Sequence, residues 1–156
     1  MYKAAVRWMI RRNIGRLNAG EYAPALAMFA ADATLAFPGD NSLAGEFRPP
    51  QPGRDAFVTH ADRDEIERFL RRYVDTGMQM AVDDILVNGP PWNTRAAARV
   101  HHWVPGPDGH DLYNNRAVLF VHTRWGKILD QEDYEDTERV AAFERADGLP
   151  IPSATP

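Results

Sequence analysis

The apolar positions of the chain follow a period of three to four residues in the first half and a period of two in the second, and the change predicts the order of the elements. Val6, Met9, Ile10, Ile14 and Leu17 recur at helical spacing, while Lys3, Arg7, Arg11, Arg12 and Arg16 fill the other faces, so a first helix rests one stripe on something apolar. "LNAGEY" breaks it at Gly20, and "PALAMFA" forms a short second helix with Pro24 in its first turn, where a missing N–H costs least. "DATLAFPGD" reads as a brief strand closed by a Pro-Gly turn. Residues 48–60, "RPPQPGRDAFVTH", keep neither period and read as an irregular surface loop. From Asp62, "DRDEIERFLRRYVDTG" sets Ile66, Phe69, Leu70, Tyr73 and Val74 on one face, opens with acids and stops at Gly77, which predicts a third helix.

Beyond Gly77 the period becomes two. "MQMAVDDILVNG", "TRAAARVHHWVP", "DLYNNRAVLFVHT" and "KILDQEDYE" are separated by "GPPWN", "PGPDGH" and "RWG", the pattern of four strands in an antiparallel meander. Asp136 or Thr137 caps a last helix, "ERVAAFERA", ahead of "GLPIPSATP", a tail too rich in proline to fold alone. Helices first and an antiparallel sheet afterwards is the α+β pattern, with one face of a curved sheet covered by helices as in a cone. The expected organisation is one domain over residues 1–147 and a proline-rich tail over 148–156.

Composition narrows the function classes. A length of 156 residues at 44% hydrophobic suits one sizeable core. A net charge of −4 offers no broad positive field for phosphate backbones, so no nucleic-acid partner is expected. The absence of cysteine removes disulfides, thiolate metal sites and a cysteine nucleophile, and it fits a cytoplasmic setting. Arginines interrupt the opening helix and no stretch reaches spanning length, so no membrane role is expected. No Gly-x-Gly-x-x-Gly, phosphate loop or Gly-x-Ser-x-Gly is present, and the histidines show no ligand spacing; the reading is of a site with no cofactor and no metal.

The candidate chemistry lies in the meander. "DQEDYEDTE", residues 130–138, holds six carboxylates in nine positions. On a strand, Leu129, Gln131, Asp133 and Glu135 share a face, so if Leu129 points inward Asp133 enters the cone while Asp130 and Glu132 face out. Asp136 and Glu138 suit the start of the last helix. On the second strand of the meander Arg99, His101 and Trp103 share a face; a slip of one residue would turn His102 inward instead. Asp133 in an apolar cavity has its pKa raised by desolvation and lowered again by Arg99 or a protonated His101 nearby.

The order helix, helix, strand, helix and meander, with "LNAGEYAPALAMFAADATLAFPGD" near the front and "GKILDQEDYEDT" near the end, resembles the SnoaL-like branch of the nuclear transport factor 2-like superfamily over roughly residues 4–146. The resemblance implies a cone whose apolar interior is a small-molecule pocket, often in a homodimer. Ketosteroid isomerases of that superfamily use a base and two oxyanion donors, whose positions here hold Phe37, Asn13 and Val118. Limonene-epoxide hydrolases use an Asp-Arg-Asp set: Arg99 matches the arginine and Asp133 the second acid, while His101 replaces the first, and Leu35 and Phe37 replace the water-binding pair. The implied function is cofactor-independent acid/base chemistry of isomerase, cyclase, dehydratase or epoxide-hydrolase type, on a small apolar or aromatic, even polycyclic, molecule. His101 and Asp133 would be acid and base and Arg99 a clamp. Phe37, Tyr73, Trp103, Tyr113, Asn115 and Gln131 would contact substrate. The alternative is a non-catalytic ligand-binding or dimerisation module of the same fold.

Overall fold

The computed structural model describes residues 1–38 and 57–147. Helix α1 (Tyr2–Asn18) and the single turn α2 (Ala23–Leu26) precede strand β1 (Phe29–Pro38). Strand β2 (Phe57–His60) leads into helix α3 (Arg63–Asp75), followed by β3 (Gln79–Asn88), β4 (Thr94–Pro105), β5 (Asp111–Arg124), β6 (Lys127–Glu135) and helix α4 (Thr137–Asp147). The six strands form one curved sheet in the order β2-β1-β6-β5-β4-β3, antiparallel throughout except where β1 lies parallel to β6.

The first and third helices and the meander fall where the periodicity places them, while the second helix stops at Leu26 and β1 begins at Phe29, inside the stretch expected to be helical. The loop expected over 48–60 does not hold throughout: Phe57–His60 is a strand on the outer edge of β1, with Leu35 opposite His60. Four residues are too few to display a period, and the aromatic and β-branched run "FVTH" is a strand signal diluted by the prolines before it. The remainder of that loop and the tail over 148–156 lie outside the described residues. No helix among the described residues is long and apolar enough to cross a membrane.

Local chemistry fixes the helix that closes the cone. Asp62 caps α3, its carboxylate accepting the Glu65 N–H at 2.8 Å, and Asp64 and Glu65 put negative charge in the first turn. The helix then buries Ile66, Phe69, Leu70 and Tyr73 against the inner face of the sheet. Helix α1 is tied down at its end: Asn18 Nδ2 donates to the Met80 carbonyl at 2.8 Å, and its Oδ1 accepts the Met80 N–H at 2.9 Å. One side chain thus serves as a strand partner for β3, the edge strand that otherwise ends the sheet. The core lies between these helices and the inner rows of β1 and β3–β6, from Val6 and Ile14 to Val100 and Val121.

Two register slips decide which residues face inward. Val82 pairs with Val100 and Asp84 with Arg99, so Asp83 is an extra residue, a bulge in β3. On β6, Asp130 pairs with His122 and Ile128 with Thr123, so the ladder passes over Leu129. Above that slip Gln131, Asp133 and Glu135 form the inner row; below it Ile128, rather than Leu129, packs against the core.

Candidate functional site

Between α1, α3 and the sheet lies a partly open cavity of about 140 Å³. Most of its wall is apolar: the stripe of α1, Phe37 of β1, Phe69 and Leu70 of α3, and the short side chains Ala96, Ala98 and Ala117 of the sheet. The alanines leave room, because a small residue at these inward positions of β4 and β5 fills less space than a larger one would. The polar groups in its lining include Asn13, Tyr73, His102, Thr123, Gln131, Asp133 and Glu135.

Asp133 is 8% exposed, and Gln131 Nε2 donates to its Oδ1 at 2.8 Å. Burial pushes the carboxyl up from 3.8 to about 7, against the Gln131 hydrogen bond, which favours the ionised form. His102 Nε2 stands 3.7 Å from Glu135 Oε2 and 3.5 Å from the Tyr113 hydroxyl. Burial lowers this imidazole from 6.5 to about 4, with His101 adding to the shift, so it is neutral at physiological pH. The Tyr73 hydroxyl is buried and has no hydrogen-bond partner among the described residues. Burial raises its pKa, and the charges of Asp133, Tyr113 and Glu135 raise it further, so it stays a donor.

The inward row of β4 is Ala96, Ala98, Val100, His102 and Val104, not the row of Arg99, His101 and Trp103 expected from the sequence. Those three lie on the outer face. His101 Nδ1 pairs with Asp83 Oδ1 at 3.0 Å, Arg99 Nε stands 3.9 Å from Asp83 Oδ2, and the Trp103 ring stacks on His101 at 5.3 Å. The reason is desolvation: an inward Arg99 would bury a guanidinium beside Val118's neighbours in the core, whereas the opposite row brings only one neutral imidazole. Arg99 and His101 are therefore withdrawn as groups facing the cavity, and Trp103 as part of its wall.

Phe37, Tyr73 and Gln131 reach the cavity, as does Asp133. Tyr113 and Asn115 share its face of the sheet but sit behind His102: Asn115 Nδ2 donates to the Tyr113 hydroxyl at 3.0 Å and to the Asp136 carbonyl at 2.9 Å. They hold the imidazole and the start of α4 rather than touching the space itself. Glu135, missed as a site residue although it belongs to the inner row, has a side chain only 3% exposed. His60 is another surprise for a loop position; it is 1% exposed, packed against Phe37 and Phe69 at ring distances of 5.9 and 6.1 Å. A larger hollow of about 760 Å³ is an open groove of mixed charge around Asp83, His101, Arg116 and Arg139, and His102 lines both it and the interior.

The fold is matched among solved structures. A nuclear transport factor 2-like protein of unknown function from Burkholderia pseudomallei K96243 aligns with a TM-score of 0.64 at 18% identity, over 89% of this chain and 94% of that one. The fold is nuclear transport factor 2-like. A protein with a cystatin-like fold from Nostoc punctiforme PCC 73102 gives 0.58 at 14% identity over 86% and 90%, and TerC, co-crystallised with polyporic acid, 0.61 at 18% over 85% and 95%. No family model matches the sequence, and no curated protein matches it. Identities this low carry the nuclear transport factor 2-like fold and not a reaction.

Proposed function

We propose that this nuclear transport factor 2-like cone binds a small, largely apolar ligand in its interior and moves a proton on it without a cofactor, with Asp133 as the acid/base group. The observation that carries the reading is a buried carboxyl in the lining of a mostly apolar cavity, poised to hold or release its proton near pH 7. The Tyr73 hydroxyl supplies a donor for an oxygen or nitrogen on which charge develops. His102, neutral and backed by Tyr113 and Asn115, is placed to pass protons between the interior and the outer groove. That TerC, of the same fold, was co-crystallised with a small molecule supports a ligand-holding role.

Size bounds the ligand. An apolar cavity of about 150 Å³ admits benzene, so 140 Å³ suits a single ring with a short substituent rather than a polycyclic molecule. The test uses isoxazole, a single ring that opens when a base removes its C3 proton and the N–O bond breaks to give the enolate of cyanoacetaldehyde. Turnover rising through about pH 7, and falling by about two to four orders of magnitude in Asp133→Asn, is the expected result. Single-ring compounds that bind without any turnover in the wild type would support the non-catalytic ligand-binding reading.

The outer face supports a homodimer. Leu86, Ala97 and Phe120 lie side by side across three strands, with Val118 and Tyr134 in the adjoining row. Leu86 is 66% exposed and Tyr134 44%. Arg95, Arg99 and Arg116 flank this patch on β4 and β5 and Glu132 on β6, so that a second copy of the face could bring opposite charges together. Sedimentation of the wild type as a dimer, and of Phe120→Glu as a monomer, is expected; a monomeric wild type refutes the pairing.

A further inference from the structure

Gln131 and Asp133 stand two residues apart on β6, so both side chains project from one face of the strand into the cavity. Their backbone is fixed by the neighbouring strands: Gln131 pairs with Leu35 of β1 and Val121 of β5, and Asp133 with Leu119 of β5. Positions two apart on a strand lie about 7 Å from each other, a gap that the long glutamine side chain closes. Its Nε2 donates to Asp133 Oδ1 at 2.8 Å. Among the described residues no other hydrogen bond reaches the Asp133 carboxyl, so its two oxygens are not equivalent.

We infer that Gln131 is the positioning residue of the proposed proton transfer: its amide occupies Oδ1 and leaves Oδ2 as the oxygen that takes the substrate's proton and returns it. The inference rests on the reading of Asp133 as the acid/base group. An N–H aimed at Oδ1 repels a second hydrogen there, so the protonated carboxyl carries its hydrogen on Oδ2. In the transfer the substrate C–H bond breaks, its electron pair stays on the substrate, and the proton bonds to Oδ2. Gln131 also decides when that oxygen is free to accept. Burial alone would hold the proton on Asp133 to a higher pH; the amide bond, stronger to a carboxylate than to a carboxylic acid, brings the midpoint back to about 7. The other titratable groups on this side of the sheet are Glu135 on the same strand, His102 from β4, Tyr113 from β5 and Tyr73 from α3. Helix α1 and strand β1 line the cavity with no titratable side chain, and no lysine or arginine among the described residues lines it.

The experiment follows the Asp133 carboxyl carbon by NMR across pH in the full chain, as wild type, Gln131→Met and Gln131→Glu, beside the pH profile of isoxazole opening. Gln131→Met keeps the length and loses the donor. Its midpoint is expected to rise by about one pH unit, a tenfold tighter hold on the proton, and the turnover profile to rise with it. In Gln131→Glu a second carboxyl faces the first, and the rise should be larger. A side chain that only filled space would lower turnover without moving either midpoint. In the wild type the Gln131 side-chain amide protons should shift through the same midpoint as the carboxyl, a readout that needs no variant to fold. Amide signals indifferent to the Asp133 titration, or a carboxyl midpoint that stays or falls in Gln131→Met, overturn the role of Gln131 and leave Asp133 as the base. A carboxyl midpoint that moves while the turnover profile stays overturns Asp133 as the base, and the role of Gln131 with it.

Discussion

Replacing Asp133 by Asn should make the protein more stable above neutral pH, and by an amount the structure sets. The native carboxyl holds its proton up to about 7, while the unfolded one loses it near 3.8. Between those values the native state binds more protons, so this group's contribution to stability is intact below the lower value and falls as pH rises through the higher. At about 1.4 kcal/mol per pH unit the full loss is about 4 kcal/mol, of which about 3 kcal/mol falls between about pH 5 and pH 8. His102 acts in the opposite sense. Its folded value is lowered from 6.5 to about 4, so its contribution of about 3 kcal/mol is present above 6.5 and lost as pH falls. The two slopes nearly cancel in the wild type, and Asp133→Asn uncovers the His102 slope alone. Urea denaturation followed by tryptophan fluorescence at several pH values measures this. The difference between variant and wild type should grow by about 3 kcal/mol from about pH 5 to pH 8, whatever constant offset the amide brings. Parallel profiles for the two proteins would refute a proton held on a buried Asp133.

Tyr73→Phe removes a buried hydroxyl that has no partner, so it should raise stability by about 1–3 kcal/mol while weakening ligand binding, seen as a higher Tm with a smaller ligand-induced shift. Asn18→Ala deletes both hydrogen bonds to Met80 and should cost about 1–3 kcal/mol in chemical denaturation, with faster amide exchange along β3. Arg99→Ala with His101→Ala, on the outer face, should leave ligand affinity within twofold and stability within about 0.5 kcal/mol, read by calorimetry and denaturation.

The nuclear transport factor 2-like architecture was legible because period and turn residues agree along most of the chain. Gly20 and Gly77, both at positive φ, stop α1 and α3 where the patterns end. Asp133 does face inward, but not through an inward Leu129 as the two-residue alternation expected, since the slip at Leu129 sets Ile128 against the core instead. What failed was the register of β4. Its own pattern, with Ala96, Ala98, Val100 and Val104 opposed to Arg95 and Arg99, already argued that His102 turns inward with the small apolar row. Arg99 stands where related enzymes carry a catalytic arginine, but its charge keeps it on the outer face of the sheet. The bulge at Asp83, which carries the acid that holds His101 outside, has no signature in an alternation disturbed by only one residue. His60 was hidden for a different reason: its burial depends on Phe37 and Phe69, contacts made across the fold that no local pattern reports.

The claim that the interior of the cone is the working site is tested most directly by following the Asp133 carboxyl carbon by NMR across a pH titration, assigned with Asp133→Asn, in the free protein and with the cavity filled by a single-ring ligand. A midpoint near 7 that moves when the ligand binds is the expected result. A midpoint near the ordinary 3.8, or one indifferent to the ligand, would contradict it.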